Sequence, residues 1–120
     1  MASVSKQLLS GSTRGQPIKV VATATAGTTI HATGISATIM DEIWLWAVNS
    51  DTTDRKLTIE FGGVAAPDNL IEVTISAEGG LQLVVPGLVL VGTGAAASTV
   101  GAFAATANVV LICGYVNRIT

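Results

Sequence analysis

The nine residues Asp41-Glu42-Ile43-Trp44-Leu45-Trp46-Ala47-Val48-Asn49 set the fold class, because no helical period fits them and a strand period does. Side chains alternate across a strand, so Ile43, Leu45 and Ala47 share one face and Trp44, Trp46 and Val48 the other. Both faces are apolar. A strand in a two-layer protein buries one face against the opposing layer, and the other then needs a separate cover. We read the Trp pair as filling the core, since indoles bury the most apolar area. Ile43, Leu45 and Ala47 then form the face turned towards a neighbouring subunit. The opposite assignment makes the indoles the interface anchors.

Working outward, β-branched runs recur at short intervals with turn residues between them. Ile18 to Thr25 alternates, Ala26-Gly27-Thr28 turns, and Thr29 to Thr33 is a short strand. On the other side, Ser50 to Asp54 is a polar hairpin loop before Arg55 to Phe61. In that strand Leu57, Ile59 and Phe61 are expected inward and Lys56, Thr58 and Glu60 outward. Leu70 to Ser76, then Leu81 to Val85 and Leu88 to Val91 kinked at Pro86-Gly87, then Val100 to Ala104 and Asn108 to Asn117, complete eight or nine strands. The expected class is therefore all-β, a single β-sandwich or jelly-roll-like domain over residues 17–120. Residues 1–16 are polar, rich in Ser and Gly and without either period, and read as an extended N-terminal arm. The arm carries Lys6 and Arg14, two of only six basic residues, as candidate contacts to a neighbour.

Composition narrows the function classes. A chain of 120 residues supports one domain. Charged residues make up 12%, about half the usual share, against 49% apolar. So little charge covers an isolated surface poorly and suits a surface partly buried against other chains. The net charge of −2, with no basic run, gives phosphate-backbone binding no electrostatic footing, so nucleic acid is not an expected partner. Leu81 to Ala97 is the greasiest segment, but Pro86 and three Gly break it, so no membrane helix is expected. The first residues lack an apolar signal core, and synthesis and folding are expected in the cytoplasm.

Catalytic groups are scarce, and no enzyme is expected. With one His and one Cys, the only nucleophile–base pair is Cys113 with His31. Cys113 lies in an apolar run that reads as core, and His31 in a Thr-flanked strand with no second metal ligand at a suitable spacing. Asp51 and Asp54 could offer oxygens to a cation, but they also suit a solvated turn. Asp41 and Glu42 are adjacent on a strand and point to opposite faces, so they are not a carboxylate pair. Neither a cofactor site nor a metal site is expected.

Five stretches carry a resemblance over nearly the whole chain. They are Leu9-Ser-Gly-Ser-Thr-Arg-Gly-Gln-Pro-Ile-Lys-Val20, Thr28-Thr-Ile-His31, Asp41 to Asn49, Leu57-Thr-Ile-Glu-Phe-Gly-Gly63, and Ala107-Asn108-Val109 through Gly114-Tyr-Val-Asn-Arg-Ile119. Together they resemble small structural proteins of tailed bacteriophages. The resemblance implies a β-sandwich virion component, with a capsid decoration or cement protein as first expectation and a tail or head–tail component as second. It further implies a homo-oligomer, a trimer foremost, on the capsid surface with the major capsid protein as partner. From a different class, a carbohydrate-binding β-sandwich would need exposed aromatics beside polar groups.

Overall fold

The computed structural model describes residues 3–120. Nine strands form two antiparallel sheets, and no helix is present among the described residues. They are β1 (Val4–Leu8), β2 (Ile18–Lys19), β3 (Thr28–Ala32), β4 (Met40–Asn49), β5 (Arg55–Phe61), β6 (Leu70–Ile75), β7 (Gln82–Leu90), β8 (Thr99–Ala104) and β9 (Val110–Ile119). Sheet A runs β1-β9-β4-β7, with β2 also paired to β9, and sheet B runs β3-β8-β5-β6. One apolar cluster draws on both sheets. Ile43, Leu45, Ala47, Val85, Val110, Ile112 and Val116 come from sheet A, and Ile30, Leu57, Ile59, Ile75, Val100, Ala102 and Ala104 from sheet B.

Three expectations are corrected. The first concerns β4: Ile43, Leu45 and Ala47 have no exposed surface and lie in the core, so they do not form the face turned outward. Trp44, Trp46 and Val48 take the outer face instead, each half-buried. β9 decides the assignment. Its even-numbered residues Val110, Ile112 and Val116 are buried, and the register places Val116 opposite Ile43 and Ile112 opposite Ala47. Paired residues share a face, so the indoles are carried to the other side.

The second correction concerns the arm. Val4–Leu8 is an edge strand of the domain's own sheet A, paired from Val4 with Ile119 to Leu8 with Tyr115. Leu9 follows into the core, and His31 and Ala32 are tied to Ser10. Arg14 sits exposed in the loop joining β1 to β2.

The third concerns Glu60 and Thr58, which are buried although they lie on the outer face of sheet B. The segment Ala22 to Gly27, expected to be strand and turn, crosses that face. Gly27 lies so close to β8 that an added Cβ would come within 2.5 Å of the Ala102 carbonyl oxygen. Thr25 Oγ1 and Gly27 N both donate to the Glu60 carboxylate, the latter at 2.7 Å, and fasten the crossing.

Candidate interaction surface

The outer face of sheet A is a broad, ordered surface built from β1, β9, β4 and β7. Its side chains fall into cross-strand rows, because opposite residues of an antiparallel pair stand side by side. One row is polar for most of its length: Lys6 on β1, Asn117 on β9 and Glu42 on β4, ending at Val89 on β7. To one side lies Val4, Ile119, Met40. To the other lie Leu8, Tyr115, Trp44, Pro86, then Cys113, Trp46, Leu83, and finally Lys19, Leu111, Val48 at the far end. The face is thus largely apolar, crossed by one row that carries both signs of charge, with Lys19 at its far corner.

Short contacts fix the aromatic residues. The Trp44 and Trp46 ring centroids are 6.2 Å apart at an interplanar angle of 19°, and Trp46 and Tyr115 are 6.0 Å apart at 29°. Lys6 Nζ stands 4.6 Å from the Tyr115 ring centre, a cation–π distance. Trp44 Nε1 donates to Glu42 Oε1 at 2.7 Å, and Asn117 Nδ2 donates to the same oxygen at 3.0 Å. These two bonds, the Trp44 bond foremost, hold the Glu42 carboxyl below its usual range, so the row keeps its negative charge at neutral pH. The Trp44 indole lies over Gly87 on β7, where a Cβ would come within 2.7 Å of the ring. Gly87 has φ 78° and the β4–β7 register shifts here, so the kink expected at Pro86-Gly87 forms the seat of the indole.

Much of this face is open to solvent. Val4 is 66% exposed, Leu8 58%, Val89 48% and Leu83 46%. Contiguous apolar exposure rimmed by polar groups marks an interaction surface rather than ordinary scattered surface residues.

The remaining chemical groups are dispersed or already engaged. His31 and Cys113 do not meet: His31 is buried on β3 of sheet B, whereas Cys113 stands beside Trp46 on the outer face of sheet A. Cys113 is therefore not the core residue expected from its run. Partial burial still raises its thiol pKa. Asp51 accepts from Arg55 Nε at 2.8 Å and from Thr52 N, and Asp54 accepts from Ala77 N, so both carboxylates hold the hairpin region together.

One buried polar network is absent from the sequence reading. Asp41 Oδ2 lies 2.8 Å from His31 Nε2, and Arg118 reaches Asp41 with Nε to Oδ1 at 2.8 Å and Nη2 to Oδ2 at 3.0 Å. His31 Nδ1 accepts from Ser10 N at 3.0 Å, which leaves Nε2 as the protonated nitrogen donating to Asp41. The network joins β3 of sheet B to β4 and β9 of sheet A. A signal was available: Asp41 has the parity of Ile43 and Leu45, and Arg118 that of Val116. A carboxylate and a guanidinium at core parity on two strands call for each other.

Comparison of the chain with protein families, with curated proteins and with solved structures finds no match.

Proposed function

We propose that this chain is a non-enzymatic structural subunit that works by assembly, and that the outer face of sheet A is its main contact surface. The observation that carries the reading is that face: four strands wide, with three half-buried aromatics at its centre and strongly exposed Val and Leu at its edges. Aromatic residues supply much of the energy of protein interfaces, and so large an apolar area is unfavourable in water without a partner. The low charge content points the same way.

The resemblance to small tailed-phage structural proteins supports a virion as the assembly. There the chain serves as a homo-oligomeric decoration or cement protein bound to the major capsid protein. Modest contacts repeated over many copies add through avidity to stabilise a shell. The strand order supports a jelly-roll β-sandwich. Treating β1 and β2 as one interrupted strand leaves eight, split into two four-stranded sheets whose neighbours alternate between the two halves of the chain. The test is immunogold labelling of purified particles. Gold on the shell is the expected result, gold on the tail supports a head–tail or tail component, and unlabelled particles overturn the virion assignment.

A carbohydrate-binding role gains one specific observation, since Trp44, Trp46 and Tyr115 lie on the surface beside Glu42 and Asn117. Titrating the Trp fluorescence with a panel of oligosaccharides tests it. A saturable change with one sugar favours this role, and a flat response across the panel removes it.

A further inference from the structure

We infer that the occupant of the outer face of sheet A is a second copy of this chain, packed face to face about a two-fold axis that runs along β9. This inference rests on the assembly reading above and names the partner and the geometry. About this axis β1, β9 and β4 find counterparts while β7 extends past the partner's β1 edge, so three strands at ~4.8 Å spacing make the contact about 14 Å wide, and Met40 to Val48 at ~3.4 Å per residue make it about 27 Å long. That footprint is smaller than the ~800 Å² each partner buries in a standard interface, which places the dimer in the small, weakly associating class.

The charges select the partner and the axis. Lys6 and Glu42 occupy the same cross-strand row on either side of β9, with Asn117 between them. A half-turn about an in-plane axis along β9 lays β1 of one copy on β4 of the other. Lys6 then faces the second copy's Glu42, and Glu42 faces the second copy's Lys6. The same operation sets Leu8 against Trp44 and Val4 against Met40, and puts Asn117, Tyr115 and Cys113 on the axis. An axis across the strands would lay β1 on β1 and β4 on β4, and would pair neither charge with its opposite. A three-fold ring joins two different patches and leaves this self-complementarity unused. Packed sheets rotate by about 30°; with the crossing centred at Asn117, Lys6 and Glu42, one strand (~4.8 Å) from that centre, move by only ~2.5 Å, within the reach of a Lys side chain.

The test uses charge reversal and mixing, read by native mass spectrometry and by light scattering after size exclusion. The wild-type chain should run at twice 12.1 kDa at tens of micromolar. Lys6→Glu, on an exposed edge strand, should weaken the dimer by at least about tenfold, as should Glu42→Lys, because each homodimer then holds two like-charge contacts. Mixed in equal amounts, the two variants should form a one-to-one heterodimer, in which both contacts join opposite charges. Glu42→Lys removes the acceptor for Trp44 Nε1, so circular dichroism checks its fold. If it fails, Glu42→Gln replaces it, and adding Glu42→Gln to Lys6→Glu should recover most of the association. A monomeric wild-type chain overturns the two-fold contact while leaving the face to another protein of the assembly. A dimer indifferent to both reversals, or single variants that do not combine, overturns the geometry. A dimer that obeys the charges but is absent from labelled particles overturns the virion assignment alone.

Discussion

Replacing Asp41 with Ala tests whether the buried network clamps the two sheets together. Asp41 is 1% exposed, and so is the His31 side chain that donates to it. The substitution strands His31 Nε2–H in the interior, at a cost of about 1–3 kcal/mol for a buried unsatisfied donor. It also removes the two-point contact with Arg118. That guanidinium is 32% exposed and can turn partly to water, so the second loss is discounted to about 1 kcal/mol. The expected total is about 3 kcal/mol, a large share of the stability of one domain. Urea unfolding followed by Trp fluorescence at fixed protein concentration reads it, with an unchanged slope showing that both states keep their compactness. A loss below about 1 kcal/mol would refute the clamp. The acid limb gives a second reading. Burial would raise the Asp41 carboxyl, but the hydrogen bonds from Arg118 and His31 and the Arg118 charge outweigh it and hold it below its ordinary 3.8. A depressed folded pKa contributes stability that is present above the unfolded value and lost as pH falls through the folded one. Wild-type stability should therefore fall below about pH 4, and Asp41→Asn should flatten that part of the curve.

Leu45→Ala should cost about 2–5 kcal/mol, as for any large core residue, whereas Trp44→Thr with Trp46→Thr should leave a folded chain that associates more weakly. Circular dichroism and sedimentation velocity separate the two, and unfolding of the double Trp variant would put the indoles back in the core. Deleting residues 1–9 removes β1 and the buried Leu9, so it should lower the melting temperature by several degrees. An unchanged melting temperature would make β1 a dispensable terminus. Glu60→Ala takes away the acceptor for Thr25 and Gly27 and should release the crossing at Ala22 to Gly27. Hydrogen exchange at the Gly27 amide should then speed up by at least about tenfold, and an unchanged rate would show that Glu60 does not fasten it.

The sequence by itself determined that this chain is all-β, where most of its strands lie and that β4 is apolar on both faces. These properties belong to local patterns: period-two alternation, Gly and Pro breaks, and polar turns such as Ser50 to Asp54. The opposite facing of Asp41 and Glu42 follows from strand geometry alone and holds in the structure, with Asp41 buried and Glu42 on the outer face. The identity of the core face of β4 was not legible there, because either set of alternating residues could be buried. Only the tertiary structure decided it, through the pairing of β4 with β9, whose residues lie more than sixty positions further along the chain. Glu60 shows the same limit. Its parity was read correctly, yet its burial depends on a segment some 35 positions earlier that happens to cross its sheet. β1 escaped notice because a short polar edge strand takes its stability from backbone bonds to β9 rather than from its own apolar residues. The outer face of sheet A is likewise a product of assembly in space. Lys6, Asn117 and Glu42 are strangers in the sequence, and only the antiparallel register sets them in one row.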